Sequence, residues 1–343
     1  MGMRLRGAAT TFVMLVAAAC LGQQPATGPA GGDAKVQVKV EPEFVTVTVG
    51  GRPLLRYRYE KGPKPYIKEL YTPGGVQFLL DSPPDHVHHR GLMFAVAVDG
   101  VDFWSESADK GRQVHEHITT TPPMPGRDDE MVFLQGVDWR RPGDEHLVTE
   151  HRRVDLHRSP EVLATSATLL TWRNILVRSE SAGVRLSGNH YFGLGMRFAP
   201  GMNKTGRFIT AEPNAAGEVV RGDERLYPGR WCAYTASVDG KPVTVAMFDG
   251  PENDRPATWF TMADPFAYLS ATLRLHKEPL TLEAGEPLYL TYGIAAWDGV
   301  VEREQIAKAY ELWLALLQKA QPSGQTNWRN LPPAVKEKIK KLP

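Results

Sequence analysis

Cysteine is nearly missing from this chain. Of 343 residues only Cys20 and Cys232 are cysteines, and Cys20 ends what reads as a removable leader, so a mature chain would form no internal disulfide. Stability must then come from burial, and Cys232, next to Trp231, reads as a small core hydrophobe, with a nucleophile as the other option. A charge excess is also missing: 40 Lys and Arg face 39 Asp and Glu, without the basic stripe that tracks phosphates, which argues against nucleic acid as a partner. Past residue 19 no apolar run approaches the roughly eighteen residues of a membrane span. There is no Walker loop, no dinucleotide glycine motif after a strand, no zinc ribbon, no G-x-S-x-G elbow, and no heptad or fixed-period repeat.

What is present begins with Arg4 and Arg6, an apolar run from Ala8 to Ala19, and Cys20, the layout of a bacterial export signal. Ala17, Ala18 and Ala19 suit a signal peptidase. A cysteine directly after them resembles the lipobox of bacterial lipoproteins, where leucine is usual at the position of Ala17, so simple cleavage and lipidation at Cys20 both stay open. Either way the expectation is export to the periplasm or cell envelope. Residues 1–20 are then the signal and 21–35 a flexible linker rich in Gly, Pro, Gln and Ala, with an N-terminal lipid as the only membrane contact.

Beyond the linker the periodicity is that of strands. Val36, Val38 and Val40 alternate with polar neighbours, Val45, Val47 and Val49 repeat the pattern, and Gly50-Gly51 turns the chain toward Leu55, Tyr57 and Tyr59. Strand patterns return at 131–139, 146–157, 162–172, 243–248, 258–262, 268–275 and 288–297. The prediction is an all-β protein over residues 36–300, a large antiparallel β-sandwich or two fused ones. Residues 61–81, rich in proline and glycine, read as a long connection carrying Tyr66 and Tyr71 toward a histidine cluster, and the segment with His115 and His117 reads as a loop. One helix is expected at the C-terminus, within 301–320: Ile306, Ala309, Tyr310, Trp313, Leu314 and Leu317 recur at helical spacing, placing an apolar stripe on a sheet face or edge. Residues 321–343 read as a weakly ordered, solvated tail.

The richest chemistry lies in 85–106, DHVHHRGLMFAVAVDGVDFWSE. Here His86, His88 and His89 sit beside Asp85 and Arg90, an apolar run follows, and Asp99-Gly100 marks a tight turn before Phe103-Trp104. Were this cluster a strand, His86 and His88 would share one face about 6.5–7 Å apart, with His89 pointing away. An H-x-H pair can form half of a zinc or manganese site, with Asp85 orienting a ring and a further ligand from His115, His117 or His190. Two other readings of the cluster are a metal-free active site and a loop held by histidine hydrogen bonds. Arg90 can orient an anionic group such as a uronate, or pair with Asp81 or Asp85.

The runs DHVHHRG and VDGVDFW resemble the signature of an uncharacterised bacterial family catalogued as PmoA-like. The KPY near Lys64, the GxR at Gly195 to Arg197, RWCAY around Trp231, FDGPENDRPATWF and the LEAGE stretch extend the resemblance over residues 36 to 300. The chain departs from it at Gly250 and Trp297, where the family often has histidines. Its methane-oxygenase label does not fit a chain without membrane spans. GNHYFGL, from Gly188, and LEAGEPLYLTY resemble motifs of aldose epimerases (galactose mutarotases). That resemblance implies a β-supersandwich fold and a general-acid role for His190; the glutamate base of those enzymes has no match here.

The expected site therefore comprises His190, His88 and Asp249 as catalytic groups, Asp249 being the expected partner of His190. Arg90, Trp104, Tyr191, Arg197, Asn253 and Trp259 are the substrate-binding groups, because aromatic faces stack on pyranose C–H groups while polar neighbours take the hydroxyls. Each has a plainer reading: most tryptophans of a sandwich are core, and the Asp249–Arg255 loop supplies ordinary turn chemistry. Two functions follow. One is an exported carbohydrate-processing enzyme, a hydrolase, lyase or epimerase working by histidine acid/base chemistry with an optional divalent metal. The other is a non-catalytic envelope module binding a glycan or a partner protein.

Overall fold

The computed structural model describes residues 34–120, 129–178 and 182–319. Alternating apolar residues in short strands give three sheets. The largest has ten strands in the order Val36–Val40, Phe44–Val49, Arg52–Arg58, Tyr66–Leu70, Leu92–Ala95, Gly193–Arg197, Tyr268–Thr272, Thr258–Met262, Arg225–Pro228 and Glu218–Val219. The second has eight: Arg207–Thr210, Trp231–Val238, Lys241–Asp249, Leu288–Asp298, Ala167–Val177, His146–His157, Asp129–Arg140 and Arg112–Thr119. A small third sheet joins Leu280–Leu282, Val184–Ser187, Ala97–Val98 and Val101–Asp102. The strands within each sheet pair antiparallel, so the all-β sandwich expected from the periodicity is the fold observed.

Register assigns the two faces of the large sheet. Phe94, Leu194, Ala271 and Trp259 lie in one row of partners, and Phe94 meets Trp139 of the eight-stranded sheet at 5.9 Å between ring centroids. That face is the sandwich interior. The next row, Met93, Gly195, Ser270 and Phe260, faces the opposite way by strand alternation.

A polar network is buried between the two large sheets. Arg152 holds Glu150 (Nε to Oε1, 2.6 Å; Nη2 to Oε2, 2.9 Å) and reaches across to Tyr57 Oη at 3.0 Å and the carbonyl of Pro65 at 2.9 Å. Trp139 Nε1 donates to Glu150 at 2.9 Å. A buried ion pair is tolerable only when satisfied on all sides, as this one is. It fixes the start of the Tyr66–Leu70 strand and with it Lys64.

The C-terminal helix, Arg303–Lys319, buries Ile306, Ala309, Tyr310, Trp313 and Leu316, a stripe at helical spacing. Trp313 lies over Gly293, and its ring centroid is 5.8 Å from that of Phe248, so the helix covers the outer face of the eight-stranded sheet.

Several local expectations are corrected. Residues 61–81 contain a strand, Tyr66–Leu70, because Ile67 and Leu70 bury against the core. His115 and His117 belong to the edge strand Arg112–Thr119. Residues 160–164 form a short helix instead of the start of a strand, since Ser159 caps it and Pro160 opens it. Cys232 is fully buried, where desolvation pushes its thiol pKa up, in keeping with a core role.

Candidate functional site

The histidines occupy turns, not a strand. The isolated bridge Asp81–Arg90 closes a loop over residues 82–89, and backbone amides of His86 and His89 bond to the carbonyls of Pro83 and His86 at 3.0 and 2.9 Å. Gly91 ends the loop at φ +36°, where a Cβ would collide with the carbonyl oxygen of Ile67, so only glycine lets the chain enter the Leu92–Ala95 strand here.

This turn geometry overturns the expected split of His86 and His88 from His89. The His86 and His89 rings stack at 4.6 Å, and His88 meets them edge-on at 5.7 and 4.8 Å. His86 Nδ1 pairs with Asp85 at 2.8 Å, and His89 Nδ1 lies 3.5 Å from Arg197 Nη1. Stacked rings do not aim their nitrogens at one point. Among the described residues no three His, Cys, Asp or Glu side chains are grouped to hold a metal ion, so this donor set does not fit the zinc or manganese expected. His115 instead packs on Tyr59 at 4.7 Å and bonds Gln135 at 3.1 Å.

His89 is 6% exposed, and burial pushes its pKa down to about 2, so it stays neutral. Burial also lowers His88. His89 sits 5.0 Å from Tyr268, 5.4 Å from Phe266 and 6.3 Å from Trp104.

Beside the loop runs a chain of ion pairs. Arg90 grips Glu106 with two prongs, Nε at 3.0 Å and Nη2 at 2.6 Å, and adds Asp81 at 3.5 Å. Lys64, nearly fully buried, lies 3.2 Å from Glu106 and donates to the carbonyl of Trp104; burial pushes its pKa down to about 8. Tyr66 donates to Asp81 at 3.0 Å, whereas Tyr71 turns away to Glu69. Arg90 thus takes the structural role, with Glu106 as a partner the sequence reading overlooked. Arg197 is likewise buried, bonded to Asp85 at 3.2 Å and lying 3.6 Å over the Phe266 ring.

Trp104 joins this cluster to a second one. Phe103 packs inward on Trp139 at 4.8 Å, while Trp104 lies over Gly195 on the opposite face of the large sheet, where a Cβ would fall 2.9 Å from its Cη2. The indole stacks on Phe192 at 5.0 Å and 7° and meets Tyr191 at 5.3 Å. His190 follows: it touches Tyr191 at 5.0 Å, Phe260 at 5.5 Å and His276 at 6.0 Å. Its Nε2 lies 2.9 Å from Glu224, a buried carboxylate that also accepts from Arg221 Nε at 2.9 Å.

The partner of His190 is therefore Glu224, not Asp249. Asp249 ends a strand of the eight-stranded sheet, accepting from Asn253 Nδ2 at 2.7 Å and the Ala257 amide at 2.9 Å; burial pushes its pKa up to about 6. Asn253 braces that loop against Thr291, and Trp259 faces the interior, donating to the Gly229 carbonyl at 2.7 Å. The structure thus gathers His86, His88, His89, Arg90, Trp104, His190, Tyr191 and Arg197, and sets Asp249, Asn253 and Trp259 in contacts of their own. Glu224 and Tyr268 carry no motif of their own, and although Lys64 stands in KPY and Glu106 closes the 85–106 stretch, nothing in the sequence pairs them with each other or with Arg90. Asp102, the second aspartate of VDGVDFW, accepts from the Trp104 and Ser105 amides at 2.7 and 3.2 Å.

Fold and site together define an all-β sandwich with a histidine- and aromatic-lined sheet face. The chain belongs to a family described as of unknown function, DUF6807, which it matches over residues 44–311. That description assigns no activity and carries no methane-oxygenase name. A comparison with curated proteins gives no match. Among solved structures the chain is similar to an α-galactosidase from Lactobacillus brevis, at 6% identity and TM-score 0.46, covering 81% of this chain and 42% of that one. It is also similar to the galactosidase domain of an α-galactosidase-sucrose kinase (7% identity, TM-score 0.47, 77% and 42% covered). A third is a putative aldose 1-epimerase from Klebsiella pneumoniae (10% identity, TM-score 0.37, 80% and 83% covered). These neighbours are sugar-processing proteins, and the chain spans about two fifths of the length of the galactosidases.

Proposed function

We propose that this chain is an exported carbohydrate-processing protein that holds a sugar or glycoside against the face bearing Trp104, Tyr191 and His190. Export rests on the leader at residues 1–20, which lies outside the described residues. The observation that carries the site is the His190–Glu224 pair at 2.9 Å, opening on an aromatic face. The Glu224 carboxylate accepts a hydrogen bond from Nε2–H, which fixes the tautomer that leaves Nδ1 with a lone pair. His190 can then accept a proton at Nδ1 as a base and return it as an acid, while Glu224 stabilises the imidazolium between the two events.

Four polar atoms at this face are buried with no protein hydrogen-bond partner: Trp104 Nε1, Arg197 Nε, Thr272 Oγ1 and His276 Nδ1. Such atoms are costly unless something else satisfies them, and a sugar hydroxyl or an internal water has the chemistry to do so. The test is turnover of a glycoside panel by wild type, His190→Gln and Glu224→Gln. The proposal expects both variants to keep binding and to lose about a hundredfold or more in turnover. Undiminished turnover in both would overturn it.

One observation favours a second reading, a non-catalytic glycan module: His89 is packed among rings and bonded to Arg197, as a loop staple would be. On that reading the same panel gives binding without turnover.

A further inference from the structure

We infer that the ligand of this face is uncharged: a neutral sugar or glycoside, not a uronate or a sugar phosphate. The inference rests on the sugar-binding reading above and names its substrate class. The cations around the histidine loop, Trp104 and Glu224 each pair with a carboxylate. Arg90 and Lys64 share Glu106, Lys68 lies 3.5 Å from Asp81, Arg197 holds Asp85, and Arg221 holds Glu224. With Asp102, five carboxylates balance these five cations, so the face around Trp104 carries no excess positive charge to draw in an anion; Lys277, paired with Glu218, and Arg274 lie beyond it, next to His276. Beside Trp104 an anionic ligand would have to displace Glu106 from a two-pronged guanidinium, or Asp85 from Arg197, and either step leaves a displaced carboxylate without its cation.

The unpartnered atoms point the same way. Trp104 Nε1 and Arg197 Nε each carry one N–H and no lone pair, so they can only donate. Donors of this kind suit the ring and hydroxyl oxygens of a neutral pyranoside. Arg197 Nε keeps this ability while Asp85 neutralises its charge through Nη2. Asp85 is the one member of these pairs with a half-exposed carboxylate, at 50%, which makes it the residue that decides between neutral and anionic ligands.

The experiment is calorimetric binding to the full chain of methyl glucoside and methyl galactoside, their uronates, and the corresponding 6-phosphates. Near-ultraviolet circular dichroism confirms that each variant is folded. Wild type should prefer a neutral glycoside over its matched uronate and phosphate by about tenfold or more. Asp85→Asn, which releases Arg197, should shift that preference toward the uronate by about tenfold. Trp104→Phe keeps an aromatic ring, though a smaller one, and removes the donor, and should weaken the neutral glycoside about five- to tenfold. A wild-type protein that binds a uronate or phosphate at least as tightly as the neutral glycoside overturns the inference and leaves the sugar-binding reading standing. A protein that binds none of these ligands overturns both.

Discussion

Replacing His89 by glutamine should cost stability at neutral pH and restore much of it in acid. At pH 7 the variant loses an imidazole packed against His86, Phe266 and Tyr268, a loss of about 1–3 kcal/mol. Glutamine still offers an oxygen to Arg197. The acid behaviour follows from titration. In the folded protein burial holds the His89 pKa at about 2, against an ordinary value of 6.5. Below pH 6.5 the unfolded chain therefore binds a proton that the folded chain refuses, so the wild type loses stability as pH falls from 6.5 toward 2. At pH 4 the loss from this one group is about 3 kcal/mol. The glutamine variant has no such group. Urea denaturation of both proteins at pH 7 and pH 4 should show their stability difference moving by about 3 kcal/mol in favour of the variant, enough to erase or reverse the loss at pH 7, with Asp249 and other groups remote from His89 cancelling in the comparison. Parallel pH profiles for the two proteins would refute the reasoning, because they would mean that His89 is solvated enough to protonate in place.

Asp249→Asn tests the opposite sign. The folded carboxyl titrates at about 6 against an ordinary 3.8, so the folded state binds the extra proton between those values and wild-type stability falls as pH rises through them. The variant should gain on the wild type by up to about 3 kcal/mol between pH 4 and pH 8 in thermal or urea unfolding; a constant difference would contradict this. Arg90→Met leaves Glu106 buried with Lys64 alone, and an unfolding free energy lower by about 3–5 kcal/mol is expected. Gly195→Ala drives a methyl into Trp104 and the Tyr268 hydroxyl. It should cost about 1–3 kcal/mol and abolish sugar binding, whereas an unchanged affinity would show that Trp104 does not shape the site.

How much of this was legible beforehand depended on whether the signal was periodic or solitary. Valines at every second position in 36–49 and the Asp99-Gly100 turn gave antiparallel hairpins, and the spacing of Ile306, Tyr310 and Trp313 gave the helix; all three are local patterns. The histidine cluster was visible as a motif, but its geometry was not. A strand would have sent His86 and His89 to opposite faces, and what stacks them is a pair of turns closed by the Asp81–Arg90 bridge. His190 was visible through a resemblance, while Glu224 lies thirty-four positions away in a turn and reaches it only once the sheet has formed. Trp259 and Trp104 read alike in sequence, yet register sends Trp259 into the sandwich, while the bend after the Val101–Asp102 strand lays Trp104 on the opposite face.

The central claim is that one sheet face, from His86 past Trp104 to His190, holds a sugar. A crystal structure of the protein soaked with a methyl glycoside that binds in solution tests it most directly. The account predicts a pyranose ring against Tyr191, with oxygens within about 3 Å of Trp104 Nε1 and His190 Nδ1. A sugar bound elsewhere, with His190 and Trp104 untouched, would contradict it.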